Sequence, residues 1–185
     1  MPGRAARAAW EAARGKATGF LDESFADAVG PGWEGGRTED EILGRLRASC
    51  GVTIEETPAL LEVLGADERF CPEMRRFIER AHGRYRLALL TNAGPGARAE
   101  LTGRWGLDAW FEVIVVSAEE GLSKPHPAIY ARTSERLGVR PEACLFLDDR
   151  ETNVLGARAA GMSSIRFRSA AETLPEVEVL LRGPA

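Results

Sequence analysis

Two hydrophobic periodicities divide the chain. Through residues 1 to about 70, apolar side chains return every three or four positions and no strand-like run occurs, a spacing that lines them along one face of a helix. Ile42, Leu43 and Leu46 form such a face behind Thr38 and Glu41, an S/T-x-x-E capping box, and Gly51 stands where that helix would stop. Thr57-Pro58 reads as the N-cap and first position of a further helix, through Leu60, Leu61 and Leu64 to Gly65. From Pro72 onward, short apolar runs alternate with helical stripes. Met74, Phe77, Ile78 and Ala81 predict a helix over 72–82, followed by a strand at 85–90, a helix at 97–105 and a strand at 111–116. A helix over 127–137 opens at Pro127 and stops before Gly138; a strand at 144–147, a helix at 151–160 and a strand at 164–167 complete the series. This alternation implies right-handed crossovers and a parallel α/β sheet covered on both faces. The expected organisation is a helical region, 1–70, and an α/β region, 71–185.

With 185 residues, 44% of them hydrophobic, the chain can bury about 70% of the surface its unfolded form exposes, so folding needs no disulfide or structural metal. A net charge of −4 without a basic cluster argues against a nucleic-acid partner. Cys50, Cys71 and Cys144 lie far apart and in no metal-binding spacing, and read as reduced thiols of a cytoplasmic protein. No stretch reaches the roughly 18 apolar residues of a membrane span. Arg4, Arg7 and Arg14 among alanines lack the apolar segment of a secretory signal. A transit peptide is the sharper alternative there, but Glu11 favours an ordinary amphipathic helix. Gly30-Pro31-Gly32-Trp33-Glu34-Gly35-Gly36 lacks the phosphate-loop pattern and a preceding strand, so it reads as a flexible turn with Trp33 as a packing anchor.

The chemistry gathers at strand ends. Asp148 and Asp149 follow the run Cys144-Leu145-Phe146-Leu147, and adjacent carboxylates repel unless a cation or strong donors stand nearby. Mg²⁺ is the candidate; a solvated turn is the bland alternative. Thr91-Asn92 ends the strand at 85–90, and Ser123-Lys124-Pro125 follows the strand at 111–116. In an open parallel sheet, ligands bind in the crevice along the carboxyl edge, so these clusters are expected to converge. His126 reads as a helix-start residue and His82 as a helix-end residue near the negative dipole terminus.

Leu90-Thr91-Asn92, Ser123-Lys124-Pro125-His126-Pro127, then Phe146-Leu147-Asp148-Asp149 with Asn153, Gly156-Ala157 and Ala160-Gly161, in that order, resemble the second, third and fourth motifs of the haloacid dehalogenase-like (HAD) hydrolase superfamily. The resemblance covers residues 70 to 170. The segment from Gly36-Arg37-Thr38 into Glu41-Ile42-Leu43 is similar to the small helical cap of that family. A Rossmann-like core with an N-terminal helical cap is therefore implied. So is phosphoryl transfer to an aspartate, followed by hydrolysis of the aspartyl-phosphate, a reaction that needs positive charge where negative charge gathers. The resemblance gives Thr91 the role of hydroxyl donor to the phosphoryl oxygens and Asn92 that of a neighbouring polar contact or strand-end turn residue. Lys124 would neutralise phosphate and nucleophile. Asp149 would be the Mg²⁺ ligand, with Asp148 a second ligand or its support.

The first motif of the family, a strand ending in Asp-x-Asp that carries the nucleophile, has no counterpart here. Asp22 and Asp27 fall in a helical pattern, and the tail 176–181 has no aspartate, which excludes a circular permutation. In the family that strand is central, between those ending at Thr91 and Asp149. Its loss would leave two apolar strands with unpaired edges at about 1–3 kcal/mol for each unsatisfied group. A pseudoenzyme usually keeps the strand and exchanges the nucleophile, so the expectation is a chain that starts too late, by roughly 10 to 25 residues, enough for a strand and its flanking turns. The functional expectation is a Mg²⁺-dependent phosphatase for a small phosphorylated metabolite, inactive in this form. The alternative is a non-catalytic phosphate-binding or interaction protein. A dehalogenase fits less well because it needs no metal, and a phosphoacceptor receiver domain has its acidic pair and lysine in the reverse order.

Overall fold

The computed structural model describes residues 4–29, 39–65, 70–94 and 96–182. The chain forms two compact units, residues 1–69 and 70–185.

Among the described residues the first unit holds four helices, α1 (Arg4–Ala13), α2 (Phe20–Val29), α3 (Glu39–Cys50) and α4 (Thr57–Gly65). Their apolar stripes meet in a core of Trp10, Leu21, Ala28, Ile42, Leu46, Cys50, Leu60 and Leu64. Glu11 is buried in this unit because its carboxylate accepts the Gly19 and Leu21 backbone N–H groups at 3.2 and 2.9 Å, donors that α2 cannot satisfy within its own first turn. The cap of α4 falls one turn earlier than Thr57. Thr53 and Glu56 form a reciprocal capping box, with Thr53 N–H donating to Glu56 Oε2 at 2.8 Å and Glu56 N–H to Thr53 Oγ1 at 3.3 Å. Thr57 lies inside the helix and donates its hydroxyl to Thr53 O. Thr38, Trp33 and the glycine-rich turn lie outside the described residues.

The second unit alternates as expected: α5 (Pro72–Ala81), β1 (Ala88–Thr91), α6 (Ala97–Ala99, continuing as a π-helical turn over Glu100–Arg104), β2 (Val113–Val116), α7 (Ser117–Glu120), α8 (Pro127–Leu137), β3 (Leu145–Asp148), α9 (Glu151–Ala159), β4 (Ser163–Arg166) and α10 (Ala170–Arg182). β1 starts three residues later than the apolar run suggests, because Arg84 and Tyr85 N–H both donate to Ala81 O in the turn that ends α5. On β2, Val115 packs with Ile129, Tyr130, Ala157 and Met162, while Ile114 and Val116 pack with Leu107 on the opposite face. That is the period of two expected of a strand covered on both sides.

Both strand pairings are parallel, with Ala88 opposite Val113 through Thr91 opposite Val116, and Leu145 opposite Ser163 through Asp148 opposite Arg166. Among the described residues they form two two-stranded sheets, β1–β2 and β3–β4, and no ladder joins β1 to β3. Ser163 N–H donates to Cys144 O and Phe167 N–H to Asp148 O, so the main-chain groups of Leu145 and Leu147 point away from β4. Leu89, Leu90, Leu145, Leu147, Met162 and Val177 are among the walls of an apolar cavity of about 910 Å³. Among the described residues no helix is long and apolar enough to cross a membrane.

Candidate active site

Lys124 ties the two sheets together at their carboxyl edge. Its Nζ donates to Leu90 O, near the end of β1, at 2.9 Å and to Asp148 Oδ2, at the end of β3, at 2.7 Å. The side chains of this pair are only 9% and 6% exposed, a position in which each ion needs the other. The Phe146 ring adds a cation–π contact, with Nζ 5.6 Å from its centroid. Asn92 fixes the lysine's backbone from the strand end: its Nδ2 donates to Lys124 O at 2.8 Å and its Oδ1 accepts Lys124 N–H at 2.9 Å.

Asp148 spends its acceptors on the protein. Oδ1 accepts Arg150 N–H and Asn153 Nδ2, each at 2.9 Å, and Oδ2 takes Lys124. Burial alone would push this carboxyl up; the hydrogen bond and charge of Lys124, joined by the donors of Arg150 and Asn153, outweigh it and hold the group below the usual aspartate range. Asp149 is exposed, and its carboxylate has no protein hydrogen bond among the described residues. The Thr91 hydroxyl is likewise without a protein partner there.

The predicted residues therefore divide. Asn92, Lys124 and Asp148 are joined by direct hydrogen bonds. Thr91 and Asp149 stand beside that group in the chain, with no bond to it among the described residues. His126 accepts Ala128 N–H through Nδ1 and caps α8, the helix-start role expected of it. His82 Nδ1 lies 3.1 Å from Trp110 O at the end of α5.

Asn153, which the sequence places with the Asp148-Asp149 motif but without a role, holds Asp148 through its Nδ2. Two further contributors carry no such signal in the sequence. Tyr130, fully buried on α8, donates to Asn153 O at 2.8 Å, and nothing distinguishes it from any core aromatic. Ser117 Oγ accepts Ala93 N–H at 3.0 Å and donates to Ala93 O at 3.2 Å, fixing the turn after β1.

Among the described residues no group of three or more His, Cys, Asp or Glu side chains could hold a metal ion. One exposed carboxylate, Asp149, next in the chain to the lysine-paired Asp148, still suits Mg²⁺, which is commonly held by one or two carboxylates together with phosphate oxygens and water.

The haloacid dehalogenase-like hydrolase model matches residues 5–161. Glyceraldehyde 3-phosphate phosphatase of Methanopyrus kandleri is 39% identical over 66 residues, 35% of this chain and 28% of that protein. Phosphoserine phosphatase of Thermus thermophilus is 35% identical over 96 residues, 51% and 39% of the two chains. The (S)-2-haloacid dehalogenase of Xanthobacter autotrophicus is 30% identical over 139 residues, 68% and 55%. The chain thus spans between about a quarter and just over half of the length of these relatives. A HAD family enzyme of Bacteroides thetaiotaomicron, solved with magnesium and inorganic phosphate, shares the fold at a TM-score of 0.67 and 21% identity, over 86% of this chain and 85% of that one. With a matching family model over most of its length and this fold beneath it, the chain belongs to the haloacid dehalogenase-like hydrolases.

Proposed function

We propose that the carboxyl edge of the two sheets is the phosphate and Mg²⁺ site of a phosphatase acting on a small phosphorylated metabolite, and that its nucleophile is contributed by an extended segment lying between β1 and β3. The observation that carries this reading is the buried Lys124 ammonium, held between Leu90 O and Asp148 Oδ2 where β1 and β3 end. An ammonium on a stiff, desolvated mount stabilises phosphoryl charge without reorganising.

The roles follow from the hydrogen bonds. Asp148 is the lysine's counter-ion and keeps it in place. Thr91 offers a free hydroxyl to a phosphoryl oxygen, and Asn92, while holding Lys124, retains a second amide hydrogen for the same ligand. Asp149 is the carboxylate left to hold Mg²⁺, which when bound neutralises phosphate charge. In the reaction the resemblance implies, an aspartate oxygen bonds to phosphorus as the ester P–O bond breaks and the leaving alcohol takes a proton. Water then cleaves the aspartyl-phosphate. The relatives named for glyceraldehyde 3-phosphate and phosphoserine support a small phosphorylated substrate. The missing Asp-x-Asp favours a second reading, a non-catalytic phosphate-binding protein.

A hydrolysis assay with a generic phosphate ester and Mg²⁺ separates the two. The 185-residue chain is expected to show no turnover above background, since loss of a nucleophile typically costs several orders of magnitude in rate. Joining it to an apolar strand ending in Asp-x-Asp should produce turnover that Asp149→Asn abolishes. Hydrolysis by the 185 residues alone would refute the proposed origin of the nucleophile, and a joined form that folds yet stays inactive would favour the binding protein.

A further inference from the structure

α9 reaches the Lys124 loop at a position that carries no side chain. A Cβ on Gly156 would lie 2.7 Å from Pro125 O, 2.8 Å from Pro125 Cβ and 2.9 Å from the Tyr130 hydroxyl, far inside the roughly 3.5–4.0 Å of a relaxed carbon contact. The first of these atoms belongs to the backbone of the residue next to Lys124 and cannot swing away. Tyr130 is no freer, being fully buried and bonded to Asn153 O. The backbone of Gly156 has no positive φ, so no turn demands glycine, and inside a helix glycine is about 1 kcal/mol worse than alanine. Close approach is the remaining physical reason for it.

One turn before Gly156 on the same helix, Asn153 holds Asp148, and Asp148 holds the ammonium of Lys124. α9 therefore grips the lysine twice, by its carboxylate partner and by the loop on which it stands. We propose that Gly156 is a positioning residue for Lys124: by letting α9 seat directly against Pro125, it sets the place of the ammonium between Leu90 O and Asp148. A methyl group at 156 must displace the Pro125 backbone and carry Lys124 with it.

The composition supplies a clean probe, because Lys16 and Lys124 are the only lysines in the sequence. In ¹⁵N-lysine-labelled protein the two side-chain ammonium groups can be followed separately, Lys16 exposed and Lys124 buried. Gly156→Ala is expected to fold while its Lys124 resonance moves toward that of Lys16 or broadens by exchange with water. Acylation of Lys124 by a small reagent should quicken about tenfold, equivalent to local opening made roughly 1.4 kcal/mol easier. Gly103→Ala, at a helical glycine with nothing within 4 Å of the added atom, should leave both readouts unchanged. Adding Tyr130→Phe to Gly156→Ala relieves the hydroxyl contact, with loss of the bond to Asn153 O, leaves the Pro125 contacts in place and should not restore Lys124. If Gly156→Ala fails to fold, Pro125→Gly, which leaves α9 intact and frees the loop, should disturb Lys124 in the same way. An unchanged Lys124 in folded Gly156→Ala or in Pro125→Gly overturns the proposal, as does its recovery on Tyr130→Phe. The inference rests on reading Lys124 as the cation of the site, but its readout is the lysine itself. Failure of phosphate binding with Lys124 moving as expected would count against that reading alone.

Discussion

Lys124 and Asp148 are each costly to bury and tolerable together, so removing one partner should be worse than its share of contacts suggests. Lys124→Ala leaves Asp148 among Arg150 N–H and Asn153 Nδ2 without its cation, and a loss of about 3–5 kcal/mol in folding stability is expected in denaturant titrations. Asp149→Asn should behave in the opposite way. Its exposed carboxylate has no protein hydrogen bond among the described residues, so stability should stay within about 0.5 kcal/mol of the parent, while any Mg²⁺-dependent ligand binding disappears. The acidic pair itself was legible in sequence, but its division of labour was not. Successive side chains of a strand turn to opposite sides, and only the position of Lys124 decides which of the two carboxylates becomes the counter-ion.

Elements in the second unit are fastened by charge as well as by apolar faces. Arg132 and Arg136, one turn apart on α8, both donate to the buried Glu120 carboxylate at the end of α7; the Arg132 bond is 2.8 Å, and one from Arg136 Nη2 is 3.0 Å. The hydrogen bonds from Arg136 and Arg132 hold the Glu120 carboxyl below the ordinary glutamate range despite its burial. A depressed folded pKa makes a contribution that is complete above the unfolded value, about 4.3, and is lost as pH falls through the lower folded one. Glu120→Gln should therefore lower stability at neutral pH and flatten the acid side of the stability curve, as followed by urea melts from neutrality into that range. The start of α10 is capped by Ser169, whose Oγ accepts Glu172 N–H at 3.2 Å and donates to Glu172 Oε1 at 3.0 Å, a helix that the sequence expectations did not include although Leu174, Val177 and Leu181 follow a helical stripe around Pro175. At α4, Thr57-Pro58 carries the plainer helix-start pattern, yet the Thr53–Glu56 box beside it makes the reciprocal bonds. The strands, set by apolar runs, emerged within one to three residues of their place, whereas caps depend on which of two adjacent polar groups wins the same backbone donors.

Across the whole α/β unit, parallel pairing and coverage of both faces followed from the alternation of strands and helices, since a parallel crossover leaves few other arrangements. No local pattern encodes the separation into β1–β2 and β3–β4, because strand adjacency is a long-range property. The apolar cavity of about 910 Å³ lined by both inner strands is the counterpart of that separation. A segment seated there would satisfy the outward main-chain groups of Leu145 and Leu147, so the joined form described above should melt at higher temperature than the 185-residue chain. A shift of about 2–8 °C corresponds to a net gain near 1 kcal/mol for domains of this size range. The central claim, that Lys124 is the cation of a Mg²⁺-assisted phosphate site, is tested most directly by following the two lysine ammonium resonances as inorganic phosphate is added with and without Mg²⁺. The account predicts that Lys124 shifts with phosphate and Mg²⁺ together, that Lys16 does not, and that Asp149→Asn removes the Mg²⁺ dependence. A Lys124 resonance that stays still, or moves no more than that of Lys16, would contradict it.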